Sequence, residues 1–315
     1  MKRTILLIIF VIFSLSLSSI TLYDAFLLEV TEKPIGNEII DPNVPTDPTD
    51  PTDPIDEIPE PIVYENISTD TEYQDQDMTI RLEKIRKFGS DVYVVYVQVR
   101  NIEVVHSLFA KDTFGKNISE TTSSMAKRTG AIVAINGDYY GYRFRGLIIR
   151  NGRLYLDTPR KAPDNMSMNL NINGVMSAIL EGSDTGQNIL QSGVYQSYSF
   201  GPVLVDNKEI QSLKSNYAAK KNPRSAIGMI EPFHYIFLAA DGRTAQSPGL
   251  TMKELAQTFV DLGATFAYNL DGGGSSALWF NGRIVNKPTF DGTKFGERTV
   301  SDVLTLTPIT RDDND

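Results

Sequence analysis

Apolar runs separated by polar and glycine-rich turns recur along the chain from about residue 63 onward. Residues 91–100 (Asp-Val-Tyr-Val-Val-Tyr-Val-Gln-Val-Arg) are rich in β-branched and aromatic side chains, which predicts a strand. Shorter runs of the same character predict further strands at residues 131–135, 146–149, 235–240, 265–270 and 303–307.

Two segments have a helical pattern. Residues 122–128 end at Gly130, and Thr251-Met-Lys-Glu254 forms a capping box that begins a helix through Leu262. The second helix leads into the predicted strand at residues 265–270, which is typical of half an α/β unit. The pattern therefore predicts one α+β domain with a mixed sheet over residues 63–315.

The first 30 residues predict a membrane anchor. Lys2 and Arg3 precede an apolar stretch over residues 4–22, and Asp24 and Glu29 follow it. This charge order places the N-terminus in the cytoplasm and the remainder outside. Because the stretch is nearly long enough to span a bilayer and lacks a clear cleavage site, an uncleaved signal anchor is favoured, with secretion as the outcome if it is cleaved.

Residues 31–62 form a linker of unusual composition. They contain eight of the 16 prolines, a Pro-Thr-Asp repeat over residues 45–54, nine acidic residues and one lysine. Such a segment buries no apolar surface and is expected to form an extended stalk. The net charge of -9 is thereby concentrated in the stalk, so the nearly neutral domain offers no basic surface for nucleic acid.

Several kinds of chemistry are excluded or disfavoured by residue content. The chain has no cysteine, which removes disulfides, thiolate metal sites and cysteine nucleophiles. Its two histidines, His106 and His234, lie in apolar runs, which disfavours a Ser-His-Asp triad or a histidine zinc centre. No Walker A or dinucleotide-binding motif is present.

Polar residues cluster where the predicted strands end, and the clearest case is Asn269-Leu-Asp-Gly-Gly-Gly-Ser-Ser276. Three glycines beside Asp271 allow close backbone approach to a ligand, although a plain glycine-rich turn has the same composition. Similar polar groups follow or begin other apolar runs: Asn136-Gly-Asp138, Phe200-Gly-Pro202, Asn222-Pro-Arg224, Asp241-Gly-Arg243, Ser247-Pro-Gly249 and Glu297-Arg298. Strand ends are where α/β enzymes tend to build their sites.

These motifs occur in the order seen in the phosphodiester glycosidase family, and residues 78–308 resemble that family. Asp-Gly-Gly-Gly-Ser, residues 271–275, is the most specific part of the resemblance. The family includes an animal enzyme that removes N-acetylglucosamine from a phosphate on mannose, and bacterial proteins associated with exopolysaccharides. The chain departs from the pattern at Asp302, where Asn is more often expected, and it lacks the disulfides and additional modules of the animal enzyme.

The resemblance implies a domain of the phosphodiester glycosidase fold that hydrolyses a sugar-1-phosphodiester, of the N-acetylglucosamine type, in a glycopolymer or exopolysaccharide. Asp271 is the first candidate for the catalytic carboxylate, and Asp138 or Glu297 for a second one. The remaining candidates are substrate-binding residues: Arg224 and Arg298 on the phosphate, Asn136 and Asn269 on sugar hydroxyls, and Gly272, Gly273, Gly274, Ser275, Asp241 and Arg243 around them.

Two other functions stay open from the sequence. A non-catalytic carbohydrate-binding module at the cell wall would need the aromatic and asparagine side chains but not a carboxylate with arginines. A metal-dependent phosphodiesterase would cleave P–O instead of C–O. No cofactor is required by any motif, and a divalent cation on the oxygens of Asp138, Asp241 or Asp271 stays open, although no loop has calcium-binding spacing.

Overall fold

The computed structural model describes residues 30–31, 64–162, 164–213 and 218–311. The predicted anchor and stalk, residues 1–30 and 31–62, therefore lie outside the described residues except for a two-residue strand at Val30–Thr31. Within the described part, no helix is both long enough and apolar enough to cross a bilayer.

Strands dominate the domain, and helices are few. In chain order the strands are β1 Val30–Thr31, β2 Ile67–Ser68, β3 Glu72–Gln74, β4 Met78–Lys87, β5 Ser90–Val99, β6 Val105–Phe109, β7 Gly115–Lys116, β8 Val133–Asn136, β9 Gly146–Arg150, β10 Arg153–Thr158, β11 Met166–Asn171, β12 Met176–Leu180, β13 Val194–Tyr198, β14 Val203–Asp206, β15 Glu209–Ile210, β16 Arg224–Glu231, β17 His234–Ala240, β18 Phe266–Asn269, β19 Leu278–Phe280, β20 Arg283–Ile284 and β21 Asp302–Leu306. The helices are α1 Thr122–Thr129, α2 Tyr140–Arg143, α3 Gly186–Gln191 and α4 Met252–Asp261, with 3-10 turns at Ile102–Val104, Ala110–Asp112 and Gly273–Ser275.

Three sheets and a short ribbon organise these strands. The largest sheet has nine strands in the order β15-β14-β18-β16-β17-β5-β4-β3-β2. Two five-stranded sheets have the orders β10-β9-β13-β11-β12 and β20-β19-β8-β21-β6, and β1 pairs with β7. The main chain passes from β18 of the nine-stranded sheet to β19 of a five-stranded sheet through the glycine-rich segment, so that segment lies where two sheets meet.

Strand β5 shows how the residue pattern builds the core. Val92 and Val94 belong to the apolar cluster that packs under helix α4, together with Phe259. Val95 and Val97 point to the other face, into a cluster that joins the nine-stranded sheet to both five-stranded sheets. Because both faces of β5 are buried, its sequence reads as a nearly continuous apolar run.

The predicted helices and strands are found, with small differences at their ends. Helix α1 ends at Gly130 in the left-handed conformation (φ 67°), and helix α4 begins with the capping box of Thr251 and Glu254. The expected mixed sheet was wrong. Every strand pairing among the described residues is antiparallel, including those of β18 with β14 and β16, because β18 enters the sheet between strands that run opposite to it.

Candidate active site

The glycine-rich segment after β18 is fixed by buried polar contacts from a neighbouring strand end. The side chain of Asn136, at the end of β8, donates from Nδ2 to the carbonyl of Asp271 at 2.6 Å. Its Oδ1 accepts from the Ser225 hydroxyl at 2.7 Å and from the amide of Ala277 at 3.2 Å. The amide of Asp271 donates to the carbonyl of Gly137 at 3.1 Å. Asn136 is therefore a buried support for the turn and not a free ligand for a sugar hydroxyl.

Asp271 is the partly exposed carboxylate of this turn. Burial raises its pKa to about 6, against the opposing effects of a Ser275 hydrogen bond, the Arg298 charge and the Gly272 amide. The charge of Asp138 adds to the rise in pKa. A carboxylate with these surroundings ionises near neutral pH and still holds its proton in mildly acidic solution.

The glycines of the turn leave room for two arginines. A methyl group built on Gly274 would lie 2.8 Å from Nη2 of Arg298, and one built on Gly273 would lie 2.7 Å from Nη2 of Arg243. Gly273 has a φ of 64°, which favours glycine as well. The guanidinium groups therefore rest directly on the backbone of the turn beside Asp271, and they form the cationic face of the candidate site.

The amides of the turn are used within the protein. Gly272 donates to the Asp271 carboxylate, and Gly273 donates to the carbonyl of Pro223 at 2.9 Å. Ser275 is buried and its hydroxyl is bound to Asp271. Gly272 and Gly273, expected from the sequence to be substrate-binding residues, therefore have their amides bound within the protein, where they hold Asp271 and the turn in place.

Asp138 lies behind Asp271 in a buried ionic cluster. Its Oδ1 accepts from the amide of Tyr140 at 2.9 Å, and its Oδ2 accepts from the amide of Ser199 at 2.8 Å and from Arg150 at 3.3 Å. Arg150 also binds Asp302, from Nη2 at 2.6 Å and from Nε at 2.9 Å. With its side chain fully buried, Asp138 has no direct access to a substrate, which contradicts its expected role as second catalytic carboxylate.

Glu297 binds the start of helix α1 and not the Asp271 turn. Its carboxylate accepts from the amide of Ser123 at 2.9 Å and from the hydroxyl of the same residue. A carboxylate at a helix N-terminus satisfies unpaired amides and interacts favourably with the helix dipole. The geometry therefore gives Glu297 a supporting role: it fixes the segment that carries Arg298.

Arg224 and Asn269 also have internal partners. Arg224 is fully buried and donates to the carbonyls of Leu250 at 2.9 Å and Lys220 at 2.7 Å. Asn269 is fully buried and donates to the carbonyl of Gly201 at 2.7 Å. Their expected contacts with phosphate and sugar were wrong for this conformation, because both side chains connect segments around the turn.

A polar cavity of about 450 Å³ adjoins the turn through Arg243. Asp241 lines it and accepts from the amide of Lys287 at 2.7 Å, and burial raises the pKa of Asp241. The Lys287 ammonium lies 4.0 Å from the ring centre of Phe295 on the same cavity wall. Asp241 and Arg243 thus line one cavity, and Arg243 also lies against the glycine-rich turn.

Large aromatic side chains are exposed on two segments beside the candidate site, one that follows Asp138 and one that binds Arg243. Tyr139 and Tyr142 are 41% and 38% exposed and stack at 5.0 Å between ring centres. They flank Gly141, which packs against Ser301, three residues after Arg298. On the other segment Phe290, whose carbonyl accepts from Arg243, and Phe295 are also exposed. Exposed aromatic rings are suited to binding the apolar face of a ligand.

No arrangement suited to a metal ion is found among the described residues, where no three His, Cys, Asp or Glu side chains converge. In addition, three protein donors already occupy the carboxylate of Asp138. A divalent cation at Asp138, Asp241 or Asp271 therefore stays a hypothesis from the sequence.

The structure brings Asp271, Gly272, Gly273, Gly274, Ser275, Arg298, Arg243 and Asp241 to one region. Arg150 and the tyrosine pair were not predicted. Arg150 is a charged residue at the end of the apolar strand β9, and the strand-end rule applied to the other motifs could have found it. Nothing in the sequence marks Tyr139 and Tyr142 as exposed.

Comparison with known proteins identifies the family of the chain. The sequence profile described as phosphodiester glycosidase matches residues 129–307, more than half of the chain and including the whole turn. The chain belongs to the phosphodiester glycosidase family. The catalytic domain of zebrafish N-acetylglucosamine-1-phosphodiester alpha-N-acetylglucosaminidase, auto-inhibited by its pro-peptide, has a similar fold. That similarity covers 74% of this chain and 83% of the zebrafish chain, with a TM-score of 0.59 and 21% identity.

Two bacterial proteins are also similar to this phosphodiester glycosidase domain. The SPbeta prophage-derived uncharacterized protein YomE of Bacillus subtilis is 30% identical over 266 residues, which is 78% of this chain. The match spans only 40% of YomE. A hypothetical protein from Synechocystis shares the fold with a TM-score of 0.50 and 15% identity, over 73% of this chain and 62% of that one.

Proposed function

We propose that the domain hydrolyses a sugar-1-phosphodiester at the bond between the anomeric carbon and its oxygen, with an N-acetylglucosamine-type sugar as the substrate class. The observation that carries the proposal is a partly exposed carboxylate, Asp271, set beside two guanidinium groups on a rigid glycine turn. Membership of the phosphodiester glycosidase family supports the same reaction class.

Asp271 supplies the negative charge that the reaction requires. Cleavage of a glycosidic bond passes through an oxocarbenium-like state, which a carboxylate near the anomeric carbon stabilises. Asp271 does so either as the nucleophile or as the base toward water, and its pKa of about 6 keeps it ionised at neutral pH. Its hydrogen bonds from Ser275 and the Gly272 amide fix the direction of the carboxylate.

Arg298 and Arg243 supply the positive charge. The departing group is a phosphate ester, which leaves as a stabilised anion and needs less protonation than an alkoxide. A guanidinium group binds phosphate oxygens in a bidentate manner and neutralises the charge that develops on them. This explains how the site can work with one accessible carboxylate, since Asp138 is buried and Glu297 is bound to helix α1.

The surroundings of the turn suit the two halves of such a substrate. We assign the sugar ring to the side of Tyr139 and Tyr142, where the stacked rings offer an aromatic surface. The group on the other side of the phosphate enters the polar cavity lined by Arg243, Asp241 and Lys287. Its identity, a glycopolymer or an exopolysaccharide, and the anchoring of the domain outside the cytoplasmic membrane by residues 1–30 are parts of the same proposal.

The test is hydrolysis of a panel of N-acetylglucosamine-1-phosphodiesters, with release of free sugar measured by mass spectrometry. Asp271→Asn should abolish turnover, and Arg298→Ala should lower kcat/KM on the order of a hundredfold. Arg283→Ala is the matched control, because Arg283 is an exposed arginine paired with Asp70 in the bend between β2 and β3 and should leave turnover unchanged. No turnover by the native protein on any phosphodiester, together with retained binding to a polymer, would favour a binding module.

A further inference from the structure

Arg143 is the last residue of helix α2, the short helix that follows Asp138 and carries the exposed Tyr142. Its side chain is partly buried, and two main-chain carbonyls hold the guanidinium: Nε donates to that of Arg145 at 3.3 Å, and Nη2 donates to that of Ser199. The third nitrogen, Nη1, donates to no residue that the structure describes and is not one of the buried unsatisfied atoms. One edge of this fixed guanidinium therefore faces solvent.

Two connections place Arg143 beside the candidate site. Asp138 is a common neighbour, because its charge acts both on Arg143 and on Asp271. The Ser199 peptide is a second link, since its amide donates to Asp138 at 2.8 Å and the carbonyl of the same residue accepts from Arg143. Arg143 also directly follows Tyr142, one of the two rings to which we assigned the sugar. The free edge of the guanidinium is therefore expected on the sugar side of the site.

The positive charge of Arg143 is incompletely compensated by the protein. Arg143 has no ion pair within 4.0 Å among the residues that the structure describes, and Asp138, the acid that faces it, is bound to Arg150. A second cation, Arg160, lies nearby and is paired with Glu181. Burial lowers the pKa of Arg143, and the charge of Arg160 adds to this effect, although Asp138 opposes it. A partly buried cation with a free donor favours the binding of an anion.

We propose that Arg143 determines substrate specificity by binding, through Nη1, an oxyanion attached to the sugar that is released. Two sources supply this chemistry: a phosphate ester on another hydroxyl of that sugar, as in a chain of sugars joined by phosphodiesters, or the carboxylate of a uronic acid. The reacting phosphate is left to Arg298 and Arg243. The side on which the sugar lies rests on the proposed function, whereas the free edge of Arg143 is a property of the fold.

The kinetic test compares sugars that carry the same reacting phosphodiester. The substrates are an N-acetylglucosamine-1-phosphodiester, its derivative with a phosphate on the 6-hydroxyl, and its derivative with a carboxylate at the same carbon. The native protein should prefer one of the anionic sugars by about tenfold in kcat/KM, mainly through a lower KM, and the preferred one identifies the source. Arg143→Gln should bring this ratio close to one, and Arg143→Lys, which keeps the charge, should retain part of it. The exposed Arg283→Gln is the matched control and should leave the ratio in place.

A binding measurement makes the same test without turnover. Calorimetry compares N-acetylglucosamine 6-phosphate with N-acetylglucosamine, and the phosphorylated sugar should bind the native protein about tenfold more tightly. This difference should disappear in Arg143→Gln. A difference that persists in Arg143→Gln and disappears in Arg298→Ala would overturn the proposal, because the phosphate would then be bound at the glycine-rich turn. Equal affinity of the two sugars, or binding of neither, would overturn it as well.

A role confined to holding the Ser199 carbonyl is distinguished by the ratio. Such a role lowers the turnover of all substrates alike, so an unchanged ratio in a folded Arg143→Gln would overturn the proposal. If Arg143→Gln does not fold, Arg143→Met, which keeps an unbranched apolar stem, makes the same two measurements. Absence of turnover by the native protein on every phosphodiester would count against the proposed function, and the calorimetry would still decide whether Arg143 binds the oxyanion.

Discussion

At the scale of the residue, the polar side chains around the turn fall into two groups, one accessible to solvent and one buried. Asp271 and Arg298 are accessible at the turn, whereas Asn136, Arg224 and Asp138 are buried and bound to the protein itself. The buried side chains form hydrogen bonds with backbone amides and carbonyls that would otherwise have no partner. These bonds hold the backbone of the turn in one arrangement. The accessible side chains of the turn are therefore supported by a second set of polar side chains that are buried in the protein.

Asp271→Asn should make the protein more stable at neutral pH. The pKa of Asp271 is raised from 3.8 to about 6, so its favourable contribution to folding is fully present below 3.8 and is lost as pH rises through 6. The neutral amide removes this loss, with an upper estimate of about 3 kcal/mol in the free energy of unfolding. Denaturant titrations at pH 5 and pH 7.5 check this, with a larger gain expected at pH 7.5. A variant equally or less stable at pH 7.5 would contradict the raised pKa.

Gly274→Ala should displace Arg298 without unfolding the domain. The added methyl group would meet the guanidinium at 2.8 to 3.1 Å, and a flexible exposed side chain can move away at little cost in stability. We expect an unfolding midpoint within about 2 °C of the native value and a loss of kcat/KM similar to that of Arg298→Ala. Gly242→Ala is the contrasting variant, because its methyl group would meet the backbone of Pro223 at 2.3 Å and should destabilise the fold. Full activity in Gly274→Ala would show that this position of Arg298 is not required.

Residue types and strand-end positions were enough to locate the candidate site, but not to assign each side chain. Arg224 and Arg298 both belong to polar motifs in the sequence. Arg224 is nevertheless fully buried at the start of β16, whereas Arg298 is exposed. The difference arises largely from the contact of Arg224 with the carbonyl of Leu250, 26 positions later in the chain, which no local pattern encodes. For the same reason the sequence singled out Asp302 as unusual without indicating its partner, Arg150.

At the scale of the element, helix α1 connects the core to the site. It packs near strands β8, β19 and β21, and its N-terminal turn holds Glu297, the residue before Arg298. Helix α1 was predictable because Thr121 caps its start and Gly130 closes it. The link to Glu297 was not, since it joins residues 174 positions apart in the chain.

Glu297→Ala should loosen the segment that carries Arg298. The change leaves the amide of Ser123 without its partner and removes a negative charge from the start of helix α1, at a cost of about 1 to 2 kcal/mol. We expect a lower unfolding midpoint and a higher KM, with a smaller loss of kcat than in Asp271→Asn. Glu72→Ala, at an exposed carboxylate on β3, is the control. A loss of kcat as complete as in Asp271→Asn would instead assign Glu297 a direct part in the chemistry.

The sheets show the limit of element prediction in this chain. Local patterns identified the strands with buried faces, such as β5 and β17, because their apolar runs are long. Two-residue strands such as β15 and β20 have too few positions for a pattern and exist through pairing with their neighbours. The direction of strand pairing likewise depends on the whole topology. A mixed sheet was therefore expected from the sequence, whereas the sheets of the described residues are antiparallel.

At the scale of the whole molecule, the chain combines a domain with an N-terminal anchor and stalk that remain predictions. An anchored topology predicts that the protein fractionates with membranes and that protease added to intact protoplasts removes the domain. Deletion of the Pro-Thr-Asp repeat, residues 45–54, should leave turnover of a small soluble substrate unchanged. Recovery of the full-length chain in the cytosol, or protection from external protease, would contradict this topology.

The central claim is that this phosphodiester glycosidase breaks the bond between carbon and oxygen at the anomeric centre. The most direct measurement is hydrolysis of an N-acetylglucosamine-1-phosphodiester in oxygen-18 water, with and without EDTA, and mass analysis of both products. We expect the label in the released sugar, an unlabelled phosphate ester, and loss of the reaction in Asp271→Asn. Label in the phosphate ester, formed only when a divalent metal is present, would contradict cleavage at the anomeric carbon and indicate a metal-dependent phosphodiesterase.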